Sequence, residues 1–206
     1  MGQYFRIHPE NPQRHLIRQA VQIIKQGGVI VYPTDSAYAL GCHLGEKKPL
    51  ERIRRIRKLE DSHEFTLMCR DLSELSTYAQ VDNSVFRLLK AFTPGPYTFI
   101  LPATREVPRR LQHPKRKTIG LRVPEHHVTL ELLEALNEPM LSTTLILPNA
   151  ELPLIEPEAM LDILGRQVDL VINGGYSGAE QTSVIDLCSG VPKILRVGKG
   201  DVKEFL

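Results

Sequence analysis

Short apolar segments alternate with helical patterns along the chain, and this alternation restricts the fold more than any other feature. After Pro12, apolar residues recur at helical spacing until Gly27 and Gly28 stop the pattern. The apolar run VIVYP follows at once and is typical of a buried strand. The same succession continues toward the C-terminus without a linker or a repeat. The sequence therefore predicts one α/β domain over residues 1–206, built on a mixed sheet.

The composition is that of a soluble globular protein rather than a membrane or disulfide-rich one. The three cysteines, Cys42, Cys69 and Cys188, lie far apart and form no CxxC pair, which favours a reducing compartment. No uncharged run reaches the roughly 18 residues that a membrane span needs. We therefore expect a cytoplasmic protein without a membrane partner, and we predict no metal site.

Two basic clusters stand out against a net charge of only +2. The segment KKPLERIRRIRK (residues 47–58) holds seven cations and one glutamate, and REVPRRLQHPKRK (residues 105–117) holds six and one. The apolar Ile53 and Ile56 predict that the first segment is an amphipathic helix with a basic outer face.

Cation runs are more often solvated faces, but two clusters in a nearly neutral chain favour a polyanion as partner. Little aromatic character accompanies these cations, so the backbone of tRNA or double-stranded RNA fits better than stacked single-stranded bases. The predicted RNA-binding residues are Arg52, Arg54, Arg55, Arg57, Arg109, Arg110, Lys115, Arg116 and Lys117.

Two loops are candidates for a ligand site. In VIVYPTDSAYALGC (residues 29–42), a buried strand runs directly into proline and hydroxyl groups. In NGGYSGAEQTS (residues 173–183), glycines and hydroxyls follow a strand, so this loop is either a phosphate cradle or a plain connection. Neither a Walker P-loop nor a GxGxxG motif after a strand is present, so those two routes to nucleotide binding are unsupported.

Four segments together resemble the YrdC/YciO-type family, with its YciO branch the most similar. They are GGVIVYPTDSAYALGC, FTPGPYTFILPA, TIGLRVPEHH and SVIDLCSGVPKILRVGKG, and the resemblance extends from about residue 13 to 200. The family's strand and loop usually read Y-P-T-E/D-T/S-x-Y-G-L-G-C, from which this chain differs at Ala39. The resemblance implies an α/β sandwich around a twisted, mostly parallel mixed sheet with a basic concave face.

The resemblance also implies a chemistry. Well-known members of the family are threonylcarbamoyl-AMP synthases, which join L-threonine, bicarbonate and ATP, release pyrophosphate and serve tRNA modification. ATP accompanied by Mg²⁺, L-threonine and RNA are therefore the implied ligands, with no permanently bound cofactor. By position, Thr34 and Arg122 would bind the substrate. The residues implied in nucleotide binding are Lys58, Thr182, Ser183 and Arg196.

The chain departs from the synthase pattern in the implied catalytic residues. Synthases carry K-x-R where this chain has Lys58 and Glu60, and they carry S-T-S-A-N where this chain ends in Ile146. Thr144 is a mild change from serine. Replacing attraction by repulsion about 5 Å from a phosphate could cost on the order of 6 kcal/mol.

We therefore expect a protein that binds RNA or a nucleotide in a basic cleft, with weak or no synthase activity. An active threonylcarbamoyl-AMP synthase is the alternative, and an interaction protein with a vestigial cleft is a third reading. The sequence leaves open whether Glu60 faces the cleft, because the nearby Arg57 could supply the missing cation. It also leaves open the oligomeric state.

Overall fold

A computed structural model describes residues 1–60 and 63–206 of the chain. Its α-helices are α1 (Arg14–Lys25), α2 (Lys47–Arg57), α3 (Leu72–Tyr78), α4 (Asn83–Phe92), α5 (His127–Leu136) and α6 (Pro157–Leu164). Its strands are β1 (Gln3–Arg6), β2 (Ile30–Tyr32), β3 (Ala39–His43), β4 (Thr66–Met68), β5 (Tyr97–Pro102), β6 (Thr118–Arg122), β7 (Met140–Thr144), β8 (Leu170–Asn173), β9 (Ser183–Asp186) and β10 (Lys193–Arg196). Short 3₁₀ turns cover Arg109–Leu111 and Lys203–Phe205. No helix in the described ranges is long and apolar enough to cross a membrane.

The ten described strands form one mixed sheet in the order β1-β8-β2-β3-β7-β4-β6-β5-β9-β10. Four neighbouring pairs are parallel, namely β1–β8, β2–β8, β4–β6 and β5–β9. The other five pairs are antiparallel. The predicted α/β class and mixed sheet are thus confirmed, but the prediction of a mostly parallel sheet is wrong. The physical reason is that short returns, such as the one from β2 to β3, pair strands antiparallel, whereas a parallel pair needs a longer crossover.

Both faces of the sheet are covered, which explains the unbroken apolar run at β2. Val29 and Val31 belong to a core on one face, together with apolar residues of α2, α3, α4 and α6. Ile30 and Tyr32 belong to the core on the other face, with side chains of α1 and α5. Successive strand residues point to opposite faces, so a strand buried on both sides carries no polar alternation.

The local signals for helix ends agree with the structure. Asp71, a residue type typical of helix N-caps, caps α3, since its carboxylate accepts the backbone N–H of Glu74 at 2.8 Å. Helix α1 ends at Lys25, shortly before Gly27, which has a left-handed φ of 81°. Strands β1 and β3 were not predicted. β1 has only four residues, and β3 follows a polar loop, so the sequence pattern does not show that the chain reverses there and pairs with β2.

Candidate functional site

The loop between β2 and β3 is organised by Thr34. Its buried hydroxyl donates to the carbonyl of Ala37 at 2.6 Å and accepts the backbone N–H groups of Ser36 and Ala37 at 3.1 and 3.2 Å. Hydroxyl side chains stabilise turns through such local hydrogen bonds. Thr34 therefore shapes the loop, and its contact with a substrate stays a prediction.

Arg122 joins the end of β6 to this loop. Its Nη2 forms an ion pair with Asp35 and lies 3.3 Å from Thr34 Oγ1. Only 7% and 9% of the Arg122 and Asp35 side chains are exposed. Within the described chain, Arg122 Nε and Asp35 Oδ2 have no hydrogen-bond partner. Buried polar atoms are normally paired, so an oxygen atom of a ligand would satisfy Arg122 Nε once the atoms that cover this nitrogen shift aside.

A cavity of about 200 Å³ lies beside Arg122. It occupies the sheet face that α1 and α5 cover elsewhere. Its floor consists of alternate strand residues, most of which are small or carry hydroxyl groups, with Met68, Ile100 and Val184 as the apolar exceptions. Floor residues include Ala39, Thr66, Thr98, Gly120, Ser142, Thr144 and Thr182. Hydroxyl groups provide both donors and acceptors, so the floor suits a polar ligand.

Three arginines from separate elements line this cavity, namely Arg57 of α2, Arg122 of β6 and Arg196 of β10. Arg57 donates to Thr143 Oγ1 at 2.6 Å and to the carbonyl of Ile146 at 3.0 Å. These two bonds direct its guanidinium group across the end of β7 and into the cavity.

Arg196 is held by neutral oxygens as well. It donates to the carbonyl and hydroxyl of Thr182 at 2.9 and 3.1 Å, and to Gln181 Oε1 at 2.8 Å. Neither Arg57 nor Arg196 forms an ion pair with any other described residue. Burial lowers the pKa of both groups, and the charge of Arg122 lowers the pKa of Arg196 further. An anion in the cavity would offset this unfavourable positive charge.

Lys58 and Glu60 lie outside the cavity lining, although both are placed in the catalytic site by resemblance. Lys58 ends α2 in a left-handed conformation with a φ of 51°, and its side chain is exposed. Glu60 is also exposed, and its backbone carbonyl accepts Arg54 Nη1 at 2.6 Å. Arg57 is the α2 cation that lines the cavity.

The remaining predicted residues divide between the cavity and its surroundings. Thr144 and Thr182 line the cavity, whereas the Ile146 side chain does not. Ser183 is buried below the surface, where its hydroxyl donates to the carbonyl of Gly200 at 2.6 Å and accepts the N–H of Gly198 at 2.9 Å. Ser183 thus anchors the C-terminal segment, and its nucleotide contact stays a prediction.

The arginines of α2 differ in their partners and in their exposure. Arg52 pairs with Asp169 on one side of the helix. Arg54 lies over the ring of Phe65, 5.1 Å from its centroid. Arg57 lines the cavity. α2 is nevertheless the predicted amphipathic helix, since Ile53 and Ile56 are buried and its cations lie on the other side. Of these four arginines, Arg55 is exposed and the others are half-buried against different partners.

The second basic segment keeps more of its charge in solvent. Arg110 donates to the carbonyl of Leu44 at 3.1 Å, and Arg116 pairs with Asp186. All five predicted RNA-binding cations of this segment are exposed, and Arg109, Lys115 and Lys117 are the other three. RNA binding by these residues stays a prediction.

Sequence reasoning missed several cavity residues, among them His63, Thr98, Thr143 and Gln181. One signal was available in the strands themselves. In β5 and β7, hydroxyl residues interrupt otherwise apolar runs, which is unusual for strands covered on both faces. His63 had no such signal, since only the folded chain brings it beside β7.

Comparison with known proteins identifies the family. The family model that matches residues 22–198 is that of Sua5, YciO and YrdC, which is described as telomere recombination. The chain belongs to this family. It is 62% identical to the protein YciO of Escherichia coli K12 over 206 residues, which is 100% of both chains. A protein of Haemophilus influenzae is 59% identical over 207 residues, again with 100% of both chains covered.

Solved structures agree with this assignment. The crystal structure of E. coli YciO matches with a TM-score of 0.97 over 100% of both chains. The structure of P. abyssi Sua5 complexed with L-threonine matches with a TM-score of 0.89 at 24% identity, covering 98% of this chain and 59% of that one. The Sua5 match shows a shared fold.

The buried ion pair between Arg122 and Asp35 leads to a stability prediction. We expect Arg122→Met to lower the free energy of unfolding by about 3–5 kcal/mol, because it leaves a buried carboxylate unpaired. The double variant Arg122→Met/Asp35→Asn should recover part of this loss. Urea denaturation of the four proteins of this cycle gives the coupling energy.

An exposed ion pair provides the control. Arg6 lies 3.6 Å from Glu158, and their side chains are 78% and 60% exposed. Arg6→Met should change the free energy of unfolding by less than about 1 kcal/mol. Equal losses in Arg6→Met and Arg122→Met would contradict the assigned role of the buried pair.

Proposed function

We propose that the cavity binds the phosphate groups of a nucleotide, and that the protein has at most weak threonylcarbamoyl-AMP synthase activity. The observation that carries the proposal is the meeting of Arg57, Arg122 and Arg196 in one cavity. Two of them have only neutral acceptors among the described residues. A polyphosphate supplies the negative charge that this arrangement lacks.

The donor geometry favours phosphate or carboxylate oxygens. A guanidinium group presents several N–H donors in a planar fork, which matches these oxygens in pairs. Hydroxyl groups of Thr144 and Thr182 lie in the same cavity and add further donors. Each hydrogen bond to a charged group contributes about 1.5–3 kcal/mol, so three such bonds contribute about 4.5–9 kcal/mol, which corresponds to affinities from about millimolar to about micromolar.

The proposed synthase activity is weak because three groups implied by the family pattern differ in kind or in place. Lys58 is exposed outside the cavity, Glu60 replaces an arginine, and Ile146 replaces an amide. The described residues also contain no cluster of His, Cys, Asp or Glu side chains able to hold a metal ion. Mg²⁺ would therefore arrive with ATP and be held by its phosphates.

An active synthase is the alternative, and one observation favours it. Arg57 already provides a cation on the cavity wall, which offsets the change at Glu60. The shared fold with a Sua5 protein that was crystallised with L-threonine supports the same reading. Rate measurements distinguish the two proposals.

The test of nucleotide binding is a calorimetric titration of each protein with ATP and Mg²⁺. We expect the wild type to bind and Arg57→Gln to bind about 10–100-fold more weakly, since it loses one charged donor group. Arg18→Gln is the matched control, because Arg18 is exposed on α1, away from the cavity. Similar losses in both variants, or no binding by the wild type, would contradict the proposal.

The test of synthase activity is pyrophosphate release from ATP with L-threonine and bicarbonate. We expect a low rate in the wild type and a rate at least about tenfold higher in Glu60→Arg/Ile146→Asn, if each restored group stabilises the transition state by a kcal/mol or more. A high wild-type rate that falls in Arg57→Gln would establish the active-synthase alternative.

RNA binding is a second candidate function, and we propose it for the surface beside the cavity. Arg54 and Arg110 line one narrow groove there, so the two basic segments meet in space. Exposed cations flank this region in both segments. A phosphate backbone could contact them without entering the cavity.

Salt dependence tests the RNA proposal. We expect the variant Arg55→Gln/Arg109→Gln/Lys115→Gln/Lys117→Gln to bind double-stranded RNA more weakly and to reduce the slope of log K against log salt by up to about 3.6, since each lost phosphate contact removes about 0.9. Filter binding at several salt concentrations measures this slope. An unchanged slope would show that these four residues do not contact RNA phosphates.

A further inference from the structure

His63 lies in the cavity wall, and no proposed role yet accounts for it. Its Nε2 is 3.3 Å from Thr143 Oγ1. Its ring packs edge-on against Phe65, with 5.3 Å between the ring centroids. Its backbone N–H donates to the carbonyl of Glu60 at 3.0 Å. The imidazole is therefore held between the end of α2 and the end of β7.

The hydrogen bonds around Thr143 favour a neutral imidazole. Arg57 Nη1 donates to Thr143 Oγ1 at 2.6 Å, and a guanidinium group can only donate. The hydroxyl proton of Thr143 is then available for His63, whose Nε2 accepts it when this nitrogen carries no proton. In the tautomer with an unprotonated Nε2, the three side chains form a chain of hydrogen bonds that ends on the imidazole.

The charges around His63 also favour the neutral form of its imidazole. Arg57 and Arg54 of α2 are the cations that act on the imidazole, and burial together with these two charges lowers the pKa of His63 to about 4. In the described part of the chain, Glu64 is the carboxylate that lines the same cavity, and it lies 3.6 Å from His113 Nε2, in the groove that Arg110 also lines. Among the described residues, Arg122 and Arg196 complete the positive charge around the cavity.

We propose that His63 is a proton-linked anion-binding group, neutral while no anion occupies the cavity and protonated when an anion lies beside Arg57. The proposal rests on the proposed function, because it requires an anion in this cavity. An anion offsets the charge of Arg57 and so removes the main Coulombic obstacle to a second cation. Protonated Nε2 then donates a hydrogen bond to the ligand or to Thr143.

The sign of the pH dependence follows from linkage. A group that binds a proton more tightly in the complex strengthens binding as the pH falls. One such group changes the affinity by up to tenfold for each pH unit. This dependence applies over the pH range between the pKa of the group in the free protein and its pKa in the complex. ATP is a poor probe, since its own phosphate titrates in this range. Sulfate keeps its double charge and is the probe of choice.

The experiment measures sulfate affinity by NMR titration at pH 7.5 and pH 5.5, above the ordinary range of carboxylates. We expect the wild type to bind sulfate about tenfold more tightly at pH 5.5. His63→Gln should lose this difference. His126→Gln should keep it, although the His126 imidazole interacts with Asp35 and Arg122. A difference that persists in His63→Gln would overturn the proposal.

Imidazole ¹⁵N signals of the wild type give a second readout that does not depend on a variant folding. The midpoint of His63 protonation should move to higher pH when sulfate is added, and an unmoved midpoint would overturn the proposal. Binding at pH 7.5 that depends on Arg57 but not on pH would overturn this inference alone. No sulfate binding at either pH would overturn both this inference and the proposed anion site.

Discussion

The buried ion pair between Arg122 and Asp35 is the interaction on which the site depends. It connects the end of β6 to the loop between β2 and β3. Strands β6 and β2 are distant in the sequence and are separated in the sheet by β3, β7 and β4. The pair fixes the loop at the cavity edge and leaves Arg122 Nε without a partner among the described residues. A buried pair of this kind adds little net stability, so its value lies in where it holds a guanidinium group.

The surrounding sheet makes room for that group. Strands covered on both faces normally carry large apolar residues throughout, yet the central strands place threonine, serine, alanine and glycine on the cavity floor. Two further arginines reach this floor from α2 and β10 and are held by neutral oxygens. The cavity therefore combines a shape set by the fold with positive charge that has no carboxylate partner in the described chain. Binding of a phosphate group requires both.

Much of the fold, and part of the site, could be predicted from the sequence. Hydrophobic periodicity indicated the helices, and the resemblance to the family implied Arg122, Thr144, Thr182 and Arg196, which all line the cavity. Strand directions could not be predicted, because alternation of elements does not say whether a short loop returns the chain antiparallel. The sequence left open whether Arg57 faces the cleft, because periodicity places a residue on a helix face, whereas Thr143 and the Ile146 carbonyl decide where its guanidinium group lies.

The most direct test of the account is a crystal structure of the protein with Mg²⁺ and a non-hydrolysable ATP analogue. We predict that the phosphate chain lies between Arg57, Arg122 and Arg196, with an oxygen atom within hydrogen-bond distance of Arg122 Nε. Phosphates bound instead by the exposed cations of α2 and residues 109–117, with no ligand atom in the cavity, would contradict the central claim.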